Sequence, residues 1–544
     1  MFQLKGSKSL IVLLSLVLAF GICLQPIYAD DLKEPIVSED ISTSGGSGSG
    51  GNPGTWYIGQ TPDHLDHSLP VLLFVHGLNG EAQTWWKDND MYSTAFYNGY
   101  QTAFIDLYPQ KNMWDNGYLL SQKIEEISRY FGKELVLVTH SKGGIDGQSA
   151  LVHYNAYPYV SNLVTLGSPH YGSQLADLAY SGSAWWLAAI LGQRNDATYS
   201  LQTGYMSYFR SETDAHYNVG QNQYYTLAGT SWGSFASALW WGGLYLSSHG
   251  SNDGAVVVDN AYVPSGQMVR IDSWDHNEIK TGQTFDWFKP YLTTSSMTEQ
   301  TQEGEESQSM TDSDQSNQST QGASTQSNHY LSGGEHTGYA TEAFAIENDV
   351  QSVTIHLLSD EPAQHITLRD PYGHAQPIQV NMTEAEQYLE GAYNHQIVLD
   401  NPRPGEWKIE ASYQSGVDGA YFLYTEFETS STYDFQVKED ADQGTFTIFA
   451  SDTDVTSDDI EVQHSIDFLP DQAKLKEQGI KANDRLKLVT NEPVKDMTFT
   501  LPQVDQPGIY NITIEVEGET PEGFAYQRTI VETVYVDDKG KLYR

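Results

Sequence analysis

From Thr293 to about residue 334 the chain is built of Ser, Thr, Gln and Glu, with almost no large apolar side chain. Such a stretch cannot bury enough surface to offset the entropy of ordering it, so residues 293–334 are expected to form a disordered linker. A break of this kind leads to the expectation of two separately folded halves in the 544 residues and makes two separate readings necessary. The charge divides at the same place. Residues 55–292 hold 11 basic and 21 acidic side chains, net −10, whereas residues 293–544 hold 14 and 45, net −31. The whole chain has a formal charge of −43, which repels phosphate backbones and anionic headgroups and excludes nucleic acid as an expected partner.

Lys5 and Lys8 precede an apolar run from Leu10 to Leu24, and Ile27-Tyr28-Ala29 supplies a small residue for cleavage. This is the layout of a secretory signal peptide over residues 1–29, predicting an extracellular bacterial protein. Residues 30–54, nearly pure Gly and Ser from Ser44 to Gly51, read as a flexible leader. The single cysteine, Cys23, falls inside the signal, so the mature chain has no disulfide, thiol nucleophile or cysteine-bound metal. No second apolar run of membrane-spanning length exists, so no integral anchor is expected in the mature chain.

Between residues 55 and 292, short apolar runs alternate with amphipathic stretches. Val71 to Val75, Thr102 to Asp106, Leu135 to Thr139, Leu163 to Leu166, Tyr224 to Ala228 and Met268 to Ile271 read as strands, with helices such as Leu119 to Tyr130 and Gly144 to Tyr154 between them. That alternation predicts an α/β fold with a mainly parallel sheet covered on both faces. Beyond the linker, period-two runs separated by turn residues predict two all-β, immunoglobulin-like sandwiches, over 335–432 and 433–544. With the linker between them, the two halves are expected to move independently and the first to fold on its own.

Thr139-His140-Ser141-Lys142-Gly143-Gly144 follows a predicted buried strand and opens a predicted helix. Small residues there let strand and helix backbones approach while the serine is held in a sharp turn, the context of a nucleophile elbow. Upstream, Val75-His76-Gly77-Leu78-Asn79-Gly80 ends an earlier strand, where the backbone N–H of Leu78 could join that of Lys142 in binding a developing oxyanion. Downstream lie Asn252-Asp253-Gly254 and Asp275-His276. The order Ser141, Asp253, His276 suits a nucleophile, an orienting acid and a general base for acyl transfer. Asp259, Asp272 and Asp275 are rivals for the acid, and His170 and His249 for the base. His76 and His140 are expected to be hydrogen-bonding neighbours rather than catalysts.

On these motifs, together with Leu166-Gly167-Ser168-Pro169-His170-Tyr171-Gly172-Ser173 and Leu175-Ala176-Asp177, the chain from about residue 69 to 292 resembles the secreted true lipases of the α/β-hydrolase superfamily, including the Pseudomonas and Burkholderia type. The resemblance implies a serine carboxylic-ester hydrolase acting through an acyl-enzyme, with an ester substrate met at an interface. It departs at Thr139, where the family has Gly or Ala, and at Lys142, where it often has a neutral residue. The family often carries a structural calcium near the catalytic histidine. Glu278 lies close by, but the acidic pattern is not reproduced and no ligands are assigned; no cofactor is expected to be required. Residues 175–252 concentrate tryptophans, of which Trp185, Trp186, Trp240 and Trp241 are expected to line an acyl-binding cleft beneath a mobile lid. A polyester depolymerase uses the same chemistry and stays open as an alternative. So does a binding or adhesion protein built on a degenerate hydrolase, with the β modules as its working part. The acidic tail looks similar to sandwich modules appended to bacterial extracellular proteins, a spacer role being the favoured reading.

Overall fold

Val71–Val75 is five consecutive apolar residues, all buried, and it sets the middle of the molecule. A strand so uniformly apolar needs cover on both faces, which crossover helices supply. The computed structural model describes residues 32–38, 51–294 and 328–429, apart from 236, 238 and 415, and then 435–440, 444–450, 460–471, 473–474, 486–488, 497–502 and 506–544. The expected signal peptide, most of the leader and most of the linker lie outside the described residues.

An eight-stranded sheet is built from β1 (Ile36–Val37), β2 (Trp56–Ile58), β3 (Val71–Val75), β4 (Gln101–Ile105), β5 (Leu135–His140), β6 (Val160–Leu166), β7 (Gln223–Gly229) and β8 (Gln267–Asp272), in the order β1-β2-β4-β3-β5-β6-β7-β8. From β4 to β8 every pairing is parallel, and β1 and β2 add an antiparallel edge. Strand order reverses at β3, so the carboxyl ends of β3 and β5 flank the switch point where ligands bind in open α/β sheets. The helix Met113–Phe131 is capped by Asn112, whose side chain accepts from the N–H of Trp114 and Asp115, and stopped by Gly132 at φ 62°. The helix Lys142–Val152 is buried along its whole length, wedged between that helix and the sheet.

The tail folds as two sandwiches, each of a three-stranded and a five-stranded antiparallel sheet. Glu347 and Arg528, both fully buried, pair across the two sandwiches, and the Ala345 N–H donates to the Gln527 side chain.

Two expectations are corrected. The strand His329–Thr337 lies mostly inside the stretch assigned to the linker, pairing along Asp418–Thr429. Nor do the halves have separate cores: Glu34–Arg544 is one compact unit, and a single apolar cluster joins Leu175, Trp185, Tyr205, Trp241 and Tyr245 to Leu331, Leu358, Phe422, Tyr424, Ile509 and Tyr535. The helices Trp185–Ile190 and Thr203–Thr213 are the contact elements, packing on tail strands. The physical cause is the aromatic face of residues 175–252, which water would otherwise cover at a large cost.

Candidate active site

Ser141 sits directly after β5 at φ 52° and ψ −131°, a conformation non-glycine residues rarely hold. Two backbone bonds hold it, from its N–H to Leu166 O at 3.0 Å and from the Gly144 N–H to its own carbonyl at 3.0 Å. The turn tolerates no side chain at two neighbours. A Cβ on Gly77 would lie 2.7 Å from that of Ser141, and one on Gly143 would collide with the carbonyl oxygen of His76.

Asp253 and His276 come from the loops after β7 and β8. The His276 Nδ1 lies 2.8 Å from Asp253 Oδ2, while Oδ1 accepts the N–H groups of Ala255 at 3.0 Å and Val256 at 2.8 Å. The His276 N–H donates to the Asp253 carbonyl at 2.9 Å, fixing the two residues through backbone as well. Nδ1 therefore carries the proton, and Nε2, buried and without a hydrogen-bond partner among the described residues, presents a lone pair. His140, next to Ser141, donates from Nε2 to the His276 carbonyl at 2.8 Å, and the two rings lie 4.6 Å apart. Burial holds the His140 imidazole neutral, well below the usual histidine range. The rivals are engaged elsewhere: Asp275 accepts the N–H groups of Asn277 and Glu278, Asp272 pairs with Arg270, and Asp259 lies in the short helix Val258–Ala261. Of the rival bases, His170 faces Thr165, and His249 packs on Tyr245.

Leu78 and Lys142, the expected oxyanion donors, are buried on either side of Ser141, Leu78 in the loop after β3 and Lys142 at the first position of the following helix. The tryptophans are distributed differently from the expected cleft lining. Trp185 and Trp241 are buried in the cluster shared with the tail, with Arg194 stacked on Trp185; Trp240 faces His356 of the tail at 5.7 Å; Trp186 is 39% exposed.

The sequence offered no sign of a tail segment at the site, yet Glu386–Glu390 crosses it. Ala385 and Ala392 close this loop by a hydrogen bond of 2.8 Å, and Gln387 turns it at φ 61°. Its Gln387 carbonyl accepts from Asn79 of the oxyanion loop at 3.4 Å, its Glu390 carbonyl from Gln193 at 3.3 Å, and its Glu386 carboxylate from Asn277, beside His276, at 2.8 Å. Tyr388 and Leu389 point inward, both buried, with the Tyr388 hydroxyl near Ser173 and the Asp253 charge. Burial, more than that charge, pushes this phenol far above the usual tyrosine range. Ser141 is 4% exposed and His276 is fully buried. The strap thus spans both walls of the site.

The parallel sheet, with its nucleophile turn at the switch point, defines an α/β-hydrolase of the carboxylic-ester hydrolase class. Over 91% of its length this chain is similar to the crystal structure of the Bacillus licheniformis lipase BlEst2 in propeptide form, covering 100% of that chain at 37% identity and a TM-score of 0.73. The chain belongs to that family of bacterial lipases and esterases. The mature form of the same lipase is 55% identical over 45% of this chain and 100% of its own, with a TM-score of 0.43. A metagenomic carboxyl esterase, MGS0156, matches 42% of this chain and 77% of its own at 20% identity and a TM-score of 0.35. The sequence pattern of the hemicentin galactose-binding domain-like family matches residues 328–418. No curated protein matches the chain. Among the described residues no cluster of three or more His, Cys, Asp or Glu could hold a metal, and no helix is long and apolar enough to cross a membrane.

Proposed function

We propose that the chain is the precursor of a secreted lipase, in which Ser141, His276 and Asp253 hydrolyse acylglycerol esters and the C-terminal half keeps the site closed until it is removed. The observation that carries the chemistry is the His276–Asp253 bond of 2.8 Å, which leaves the Nε2 lone pair free beside the strained Ser141 turn. His276 takes the Ser141 proton as the oxygen attacks an acyl carbonyl; the N–H groups of Leu78 and Lys142 receive the oxyanion; His276 returns the proton to the leaving alcohol; water then repeats the sequence on the acyl-enzyme. Asp253 stabilises the imidazolium formed between these steps.

Two observations support the precursor reading: the strap Glu386–Glu390 lies across the site, and the similarity to BlEst2 in its propeptide form takes in the C-terminal half. Export is supported by the charge and apolar pattern of residues 1–29. Acylglycerol is favoured over polyester because the apolar face beneath the tail is broad and aromatic, as an acyl chain at an oil interface requires.

The test is hydrolysis by the full chain before and after limited proteolysis, on tributyrin, triolein and polyester particles, with Ser141→Ala as control. Release of fatty acid that rises on proteolysis and vanishes in Ser141→Ala is expected. Clearing of polyester without fatty-acid release would overturn the substrate, and activity unaffected by Ser141→Ala would overturn the site.

A further inference from the structure

The peptide planes expected to bind the oxyanion each have their carbonyl side anchored. In a trans peptide, C=O and N–H point opposite ways, so fixing the carbonyl aims the donor. The Gly77 carbonyl, which shares a plane with the Leu78 N–H, accepts from His76 Nδ1 at 2.8 Å and from the Gly80 N–H at 3.2 Å. The tautomer follows from the other ring nitrogen: His76 Nε2 accepts the Leu107 N–H at 2.9 Å, so the proton is on Nδ1. Burial pushes His76 down to about 4, keeping it in that neutral form at ordinary pH. The Ser141 carbonyl, in plane with the Lys142 N–H, is held by Gly144.

A second set of bonds joins these planes. The Lys142 ammonium folds along its own helix to Asp146, at 2.7 and 2.8 Å from the two carboxylate oxygens, with both residues nearly inaccessible. Asp146 also accepts from Asn116 at 2.9 Å, and Asn116 clamps the Tyr108 backbone from both sides, N–H to Oδ1 at 3.1 Å and Nδ2 to carbonyl at 3.0 Å. Tyr108 follows Leu107, the donor to His76. A path therefore runs from Lys142 through Asp146, Asn116, Tyr108, Leu107 and His76 to Gly77. Burying an ion pair costs more than an apolar pair of the same shape, so helix packing gives no reason for one here. Desolvation works against both charges, lowering Lys142 and raising Asp146 from their ordinary values.

We propose that Lys142, Asp146, Asn116 and His76 are positioning residues that hold the two oxyanion donors in register across the nucleophile. The proposal rests on the ester-hydrolase reading. None of the four side chains is assigned a contact with the reacting atoms; each acts through a backbone plane.

The test uses the full chain, before and after limited proteolysis, comparing variants in the same state on a soluble p-nitrophenyl ester. The double variant Lys142→Met/Asp146→Leu removes both charges without leaving one unpaired, and Asn116→Ala breaks the path while keeping the ion pair. Both should lose roughly 10- to 100-fold in kcat with KM unchanged, less than the loss of a whole oxyanion donor. Affinity for an alkyl boronic acid, whose adduct with Ser141 is tetrahedral, should fall by the same factor. A folded double variant, or a folded Asn116→Ala, with kcat within twofold of the parent overturns the proposal. Should the double variant not fold, Asn116→Ala decides alone; if that also fails to fold, His76→Gln with unchanged kcat overturns it. A parent chain that stays inactive after limited proteolysis, and in which a fluorophosphonate then fails to label Ser141, overturns the hydrolase reading instead.

Discussion

Asp253 has both carboxylate oxygens engaged: its Oδ1 accepts from its own loop and its Oδ2 from His276. Asp253→Asn keeps the shape but offers His276 an amide, which selects the wrong tautomer and leaves no negative charge to balance the imidazolium. The expected loss is about 10⁴ in kcat, measured on a soluble ester after proteolysis, with thermal stability little changed. The pairing of Asp253 with His276 is legible in the chain alone, because the candidate acid and base follow the candidate serine in order and stand in loops after predicted strands. The places of Tyr388, Asn79 and Gln193 are not. Asn79 reaches a carbonyl 308 positions away, and no local pattern encodes such a meeting.

Elements show the same division between what is local and what is not. The six predicted parallel strands are found within a few residues of their expected ends; five are apolar runs largely buried between the helix layers, and β8, at the sheet edge, is the partly exposed exception. β6 begins earlier than its apolar run, at Val160, because Ser161 and Asn162 are buried by bonds to the end of the domain at Tyr291 and Thr293. The strand His329–Thr337 was obscured by Gly333-Gly334, which reads as linker composition. Its role is packing: a Cβ on Gly333 would collide with the Ser183 carbonyl, in the tryptophan-rich segment 175–252. Gly333→Val should therefore unseat the tail and raise turnover of a soluble ester by the uncut chain, with no effect after proteolysis. The strap gives a second prediction at this scale. Tyr388→Ala removes a buried aromatic that is held only in the closed state, at a cost of about 3 kcal/mol. That is a shift of about 100-fold in the closed-to-open ratio, visible as higher basal hydrolysis by the full chain.

Across the whole molecule, the seam between residues 175–252 and the tail contains two buried histidines, His329 and His356, and the half-buried His249. His249 follows the helix Trp240–Ser247, whereas His329 and His356 lie on tail strands and pack around Tyr424, His329 against Tyr245 as well. Burial pushes them down, His249 to about 4, His329 to about 3 and His356 to about 4; Arg528 adds to the effect on His329, and Asn394 offsets part of it on His356. A lowered histidine contributes stability above its ordinary value of 6.5, and that contribution is lost as pH falls toward the folded value. Asp177, bonded to Thr203 and to Thr533 of the tail, is raised to about 7 by burial and acts in the opposite sense, losing its contribution as pH rises through 7. His329→Phe isolates the first effect: the fall in Tm of the full chain from pH 7 to pH 5 should be smaller than in the parent.

The buried Glu347–Arg528 pair makes the two sandwiches move as one body. A cut between Thr294 and Asn328 would therefore not release the strap piecemeal. It would turn an internal contact into a two-component complex, in which the detached tail leaves and returns as an inhibitor in trans. Nicked protein should then gain specific activity on dilution and lose it again on concentration, so that how crowded the two pieces are, and not the cut alone, sets whether the site is open.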